Sequence, residues 1–274
     1  MNQKVGATTS CYTGFDLQQA VEGISKAGLK YVELSAMFVV CDHKGDLAEH
    51  VMPEFMDDED VIALQKQLSA SSLTPMSISG HVDLVRSEDV AALKRRIDLA
   101  ARIGATIVNT KTGDPASVEE TKAFFRNVAE AAEYAKDKKI VIGLETSGKY
   151  FNTAEKAVPI LKKINSDYIR LNYDTANTIY YENVRPEEDI EYGMEYMVHI
   201  HLKDKIGGKE DYDFPALGKG NIDFDKIFSV MSKHNYSGPL SIEIEFDGKH
   251  GETVEDVDKA LQDSCAFLKQ FVEI

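Results

Sequence analysis

The stretch MVHIHLKDK, residues 197–205, sets His199, His201 and Lys203 on one side of a short apolar run. Three other runs also close on a side chain that can bind a metal. IGLET reaches Glu145, LNYDTAN contains Asp174, and LSIEIE carries Glu243. Two glutamates, an aspartate and a histidine make a mixed oxygen and nitrogen set. Such sets suit Mn²⁺, Mg²⁺, Co²⁺ or Zn²⁺ and leave room for water or substrate oxygens. One acidic residue at a strand end is ordinarily a solvated loop edge. Three carboxylates gathered in one cavity are costly unless a cation compensates them, which is the physical warrant for a metal.

Neighbouring residues have blander readings. His199 is expected to be a satisfied core histidine one layer deeper than His201. Glu245 shares a face with Glu243 and competes with it as a ligand. His43, His50, His234 and His250 fall in loop or helix-end segments and read as surface groups. Tyr180 and Tyr181 either line a pocket or cap the barrel.

These side chains can meet only if their strands are neighbours. Eight short β-rich runs recur along the chain: KVGATT (4–9), YVEL (31–34), TPMSISGH (74–81), TIVNT (106–110), KIVIGLE (139–145), YIRLNYD (168–174), MVHIHLK (197–203) and LSIEIEF (240–246). Between them lie amphipathic stretches such as EDVAALKRRIDLAARIG, with apolar residues at helical spacing. Ser117 with Glu120, and Asn152 with Glu155, resemble capping boxes, and Gly28 and Gly104 stand where helices should stop. Strict alternation of strand and helix predicts a parallel sheet with helices outside it. Eight units predict an α/β fold, a single (β/α)₈ TIM barrel, with one domain over residues 1–274. The two longest loops, 35–59 and 204–222, leave the carboxyl ends of strands, where barrel active sites lie.

Composition narrows the function classes. The chain has 274 residues, 43% of them hydrophobic, enough for a sizeable core and near the roughly 250 residues usual for one such barrel. Acids outnumber bases 46 to 31, and a net charge of −15 with scattered lysines argues against nucleic acid as a partner. No apolar run approaches the roughly 18 residues that would span a bilayer, so no membrane role is expected. Cys11, Cys41 and Cys265 are far apart and odd in number, which suits a reducing compartment. The first residues lack a signal-peptide layout, and a cytoplasmic location is expected. Self-association into a homo-oligomer is compatible with the sequence.

At LET, YDTAN, HIHLKD, LGKGNIDFDKIF and GPLSIEIEF, with weaker matches at ISGHVDL and YVEL, the chain resembles the xylose-isomerase-like TIM barrel superfamily, the sugar phosphate isomerase/epimerase family. That superfamily also includes ketose 3-epimerases, inosose dehydratases and endonuclease IV. The resemblance implies Glu145, Asp174, His201 and Glu243 as ligands of a divalent metal ion, Mn²⁺ foremost. It also implies Glu145 and Glu243 as an acid/base pair acting on opposite faces of a carbohydrate substrate. Two departures stand out. Members often carry Asp-x-x-His on the sixth strand, whereas DTAN puts Asn177 at the histidine position. Endonuclease IV completes a three-metal site with an Asp-x-His pair where this chain has Tyr212 and Phe214, which argues against DNA repair.

The chemistry expected is metal-assisted isomerisation or epimerisation of a sugar or sugar phosphate through an enediolate. Substrate contacts are expected from His81, ending the third strand, and from Asn177, Lys203 and Glu33. Lys203 is placed at the rim, where it neutralises an oxyanion or binds a phosphate. For Glu33, a structural ion pair within the barrel competes with the substrate reading. LGKGN has the composition of an anion-binding loop. The alternative chemistry is a metal-dependent dehydratase or lyase acting on a keto-sugar or keto-inositol. A third reading is a sugar-binding protein without turnover.

Overall fold

The computed structural model describes residues 3–36, 39, 40, 47, 48, 51, 53, 55–246 and 253–274. Part of the first long loop, with His43, His50 and Cys41, lies outside the described residues, as does His250.

Eight parallel strands close into a barrel: β1 (Val5–Thr8), β2 (Tyr31–Ser35), β5 (Thr74–Ser79), β6 (Ile107–Thr110), β7 (Val141–Glu145), β8 (Ile169–Asp174), β9 (Met197–Leu202) and β10 (Leu240–Ile242). The two remaining strands, β3 (Val39–Val40) and β4 (Leu47–Ala48), pair antiparallel in the loop after β2. All eight barrel strands fall within or beside the runs expected from the sequence. Four end early: β1 and β9 each stop one residue short of their runs, β5 stops at Ser79, so His81 stands just beyond it, and β10 stops at Ile242, so Glu243 follows its last ladder residue.

Alternation explains the barrel's two faces. Ile142, Leu144, Leu171, Ile200 and Leu202 are buried in the apolar layer between strands and helices. The residues between them point into the barrel, and there the fill is polar: Glu33, Ser77, Asn109, Asn172, His199 and Ser241 are fully buried. Gly143 on β7 makes room for this interior. A Cβ there would collide with Asn109 Oδ1 on the neighbouring strand.

The helices are α1 (Leu17–Lys26), α2 (Asp58–Ala70), α3 (Asp89–Ile103), α4 (Val118–Lys138), α5 (Ala154–Ile164), α6 (Asn177–Glu182), α7 (Pro186–Gly193), α8 (Phe224–Lys233) and α9 (Val254–Leu268). Ser117 caps α4 by accepting from Glu120 N, while the Glu120 carboxylate reaches Ala116 N instead of the cap's own amide. Thr153, not Asn152, caps α5, because its hydroxyl accepts from Lys156 N and the Asn152 amide turns back to Gly148 O. Gly28 and Gly104 end their helices at φ of 87° and 84°, a conformation that costs glycine little. No helix among the described residues is long and apolar enough to cross a membrane.

Candidate metal centre

Strand register brings the candidate ligands together. Asp174 on β8 lies directly beside His201 on β9, and His201 in turn lies beside Ser241 on β10. Glu145 ends β7 and Glu243 follows β10. One ligand atom from each of Glu145, Asp174, His201 and Glu243 lies within 4.8 Å of the others. His201 is the hub: its Nδ1 is 2.9 Å from Glu145 Oε1 and 3.0 Å from Glu243 Oε2. Asp174 fixes itself through its other oxygen, since Oδ1 accepts from Ala176 N and Asn177 N where α6 begins.

Asp174 Oδ2, aimed into this cluster, is buried and accepts no hydrogen bond, with Lys203 Nζ 3.9 Å away, whereas Glu243 Oε2 faces His201 Nδ1. A buried carboxylate oxygen left this way is costly unless a cation meets it. Burial pushes the Asp174 carboxyl up to about 8, reinforced by Glu243 and Glu145 although Lys203 opposes the rise. Burial acts the same way on Glu145 and Glu243, yet both are held low, Glu145 by His81 and His201 and Glu243 by Lys203 and His201. His201 is raised well above the usual imidazole value: burial disfavours its charge, but Glu33, Glu243 and Glu145 outweigh that. A proton on His201 thus stands where a metal would bind. Three carboxylates and one imidazole, with Asp174 Oδ2 lacking a hydrogen bond, fit a divalent cation.

A second group, Glu33, His199 and His201, also has metal-capable spacing. Its donor atoms are taken by protein. Glu33 accepts from Asn109 Nδ2 at 2.8 Å and from Ser241 Oγ at 2.5 Å, and its Oε2 lies 3.1 Å from His201 Nε2. His199 Nδ1 meets Asn172 Oδ1 at 2.9 Å, while its Nε2 faces Ser77 and Ser241. Burial lowers His199 to about 4, so it is neutral near pH 7. This is a closed polar network beneath the centre, and His199 is the satisfied core histidine expected.

The expected substrate contacts sort differently. Glu33 is fully buried beneath His201 and presents nothing to a ligand, so the ion-pair alternative describes its placement. Lys203 is not at an open rim. It is buried, with Nζ bonded to Glu243 at 3.2 Å and to Glu245, and 3.9 Å from Asp174. Glu245 is therefore occupied by Lys203 and is not one of the four grouped ligands. His81 Nε2 lies 3.2 Å from Ser79 Oγ and 3.7 Å from Glu145, while its buried Nδ1 has no partner. Asn177 opens α6 and is buried beside Asp174. His234 is on the surface, as expected.

The LGKGN loop has its anion already. Asp204 accepts from Gly218 N at 2.9 Å, Gly220 N at 2.8 Å and Ile222 N at 3.3 Å. The positions that would complete a multi-metal site are filled by rings: Tyr212 and Phe214 pack edge-on at 5.0 Å, both against Tyr180. Sequence reasoning missed Asp204 and the inward amides Asn109 and Asn172. For the two amides the signal was strand alternation in TIVNT and YIRLNYD.

A family model described as xylose isomerase-like TIM barrel matches residues 21–271. The chain belongs to this family. Among curated members similar to it is L-ribulose-5-phosphate 3-epimerase UlaE of Shigella flexneri serotype 5b (strain 8401), 25% identical over 192 residues. That match takes in 68% of this chain and 65% of the relative, so the chain spans just under two thirds of that protein. The ketose 3-epimerase of Arthrobacter globiformis is 26% identical over 262 residues, 88% of this chain and 83% of that one. A solved structure of the IOLI protein with a zinc atom superposes with a TM-score of 0.79 at 18% identity, over 99% of this chain and 100% of the other. At that identity the likeness is one of fold.

Proposed function

We propose that the chain, acting as one barrel domain, is a divalent-metal-dependent epimerase of a ketose or ketose phosphate, with Mn²⁺ as the resident ion. The observation that carries this reading is the convergence of Glu145 and Glu243 on one imidazole nitrogen from separate strands, with Asp174 Oδ2 left open beside them. Family relatives that are sugar 3-epimerases support it, as does a related fold that holds zinc. Glu145, Asp174, His201 and Glu243 would hold the ion, and an oxygen-rich set of this kind suits manganese. Bound there, the ion supplies polarisation of a substrate carbonyl and its neighbouring hydroxyl.

The protein's own groups supply the rest. Glu145 and Glu243 are both ionised at neutral pH. From that state one takes a proton from the carbon beside the carbonyl. The other delivers to the opposite face a proton it has first taken up from solvent, which inverts that centre, and the first then gives its proton back to solvent. The Lys203 ammonium, already beside Glu243, stabilises negative charge gathering nearby. His81, lowered by burial to about 4, is a neutral imidazole whose unpartnered Nδ1 suits a sugar hydroxyl. Asn177, which cannot titrate, serves recognition.

Turnover of ketoses and ketose phosphates in deuterated water, with manganese supplied, tests this. Deuterium entering beside the carbonyl as the epimer accumulates supports the reading. Loss of water from the substrate identifies a lyase instead, and binding without exchange removes the catalytic role.

A further inference from the structure

Glu243 occupies a break in the sheet. Its amide donates to Leu202 O at 3.0 Å, on the β9 side. On the β1 side no strand remains, because β1 stops at Thr8 and the chain turns into a short 3₁₀ helix, Thr9–Tyr12. Two residues further on, Glu245 is paired again, exchanging backbone hydrogen bonds with Phe214 at 3.1 and 2.9 Å. Among the described residues the β1–β10 ladder ends at Ile242, so Glu243 has no ladder partner on the β1 side.

The side chain of Cys11 takes that place. Its Sγ lies 3.5 Å from Ile242 O, to which it donates, and it accepts from Ile244 N at 3.3 Å. The thiol therefore grips the backbone immediately before and immediately after Glu243. Cys11 is buried, and that burial pushes its pKa up to about 12. The sulfur keeps its proton and acts as a donor and an acceptor, not as a nucleophile.

We infer that Cys11 is a positioning residue for Glu243, substituting a side-chain clip for the missing strand and fixing the angle at which that carboxylate enters the metal centre. This rests on the role proposed for Glu243, and it extends the support of the centre to a residue more than two hundred positions away in the chain. Neighbouring support of this kind commonly changes metal affinity by about tenfold or more.

The test compares Cys11→Ala with Cys11→Ser, which keeps a donor and an acceptor. Manganese affinity is measured by calorimetry, and hydrogen exchange is followed at the Ile244 amide. Cys11→Ala should weaken manganese about tenfold and speed exchange at Ile244, and Cys11→Ser should recover most of both. In a Glu243→Ala background the Cys11→Ala change should no longer alter affinity. Three results would each overturn the inference: unchanged exchange at Ile244, a serine variant as weak as alanine, or the same affinity loss without Glu243. None of these measurements requires sugar turnover, and amide exchange requires no metal. Failure of the epimerase reading is thus separable from failure of the clip.

Discussion

Glu33 Oε2 lies 3.1 Å from Nε2 of His201, across the ring from the nitrogen that faces Glu145 and Glu243. A carboxylate at Nε2 holds the ring proton there and leaves the Nδ1 lone pair for a metal. Glu33 is thus a positioning residue for His201. Glu33→Gln, which can offer its own N–H to Nε2, should weaken metal binding about tenfold or more. An unchanged dissociation constant by calorimetry would show that the tautomer is set elsewhere.

Metal binding should release protons. Asp174, raised to about 8, and the raised His201 both hold protons in the metal-free protein near neutral pH. Between its ordinary value of 3.8 and about 8, folded Asp174 keeps a proton that the unfolded chain has lost. Metal-free stability through this group therefore falls as pH rises across that window. Metal affinity moves the opposite way, rising toward about pH 8. Calorimetry in two buffers of different ionisation enthalpy should register proton release at neutral pH, and equal heats in both would contradict the assignment.

Loss of either glutamate should stop proton exchange. Glu145→Gln and Glu243→Gln each keep size and polarity but remove the base, so solvent deuterium incorporation should drop at least about a hundredfold. Metal content measured on the same samples separates lost chemistry from a lost ion. A variant that exchanges at the wild-type rate is not the acid or base.

Lys203→Met should destabilise the metal-free protein by about 3–5 kcal/mol, because it strands buried carboxylates without their cation. Manganese should restore part of that loss, since it supplies positive charge to Asp174 and Glu243. Urea unfolding with and without the metal checks both statements. A variant as stable as wild type would mean that Lys203 is dispensable to the cluster.

The barrel was legible in the sequence because alternation and length are local signals. YIRLNYD shows its inward aspartate without reference to any other strand. The four candidate ligands were legible because each lies at or within one residue of a strand's carboxyl end, where neighbouring strands bring them together. Glu33 was harder: YVEL shows a buried acid, but its partners come from β6, β9 and β10, and only barrel closure makes them neighbours. Lys203 looked like a rim cation because it follows Leu202, the last residue of β9, while the acid that draws it inward, Glu245, lies beyond the end of β10. The glycine-rich turn misled for a similar reason. Composition shows that amides are available, not which anion holds them.

That turn after β9 has a consequence for substrate choice. With Gly218, Gly220 and Ile222 already satisfied by the carboxylate of Asp204, the protein has plugged its own most inviting phosphate cradle. On the proposed reading, an esterified sugar would gain nothing there over a free one, and discrimination between the two would fall to groups elsewhere around the opening.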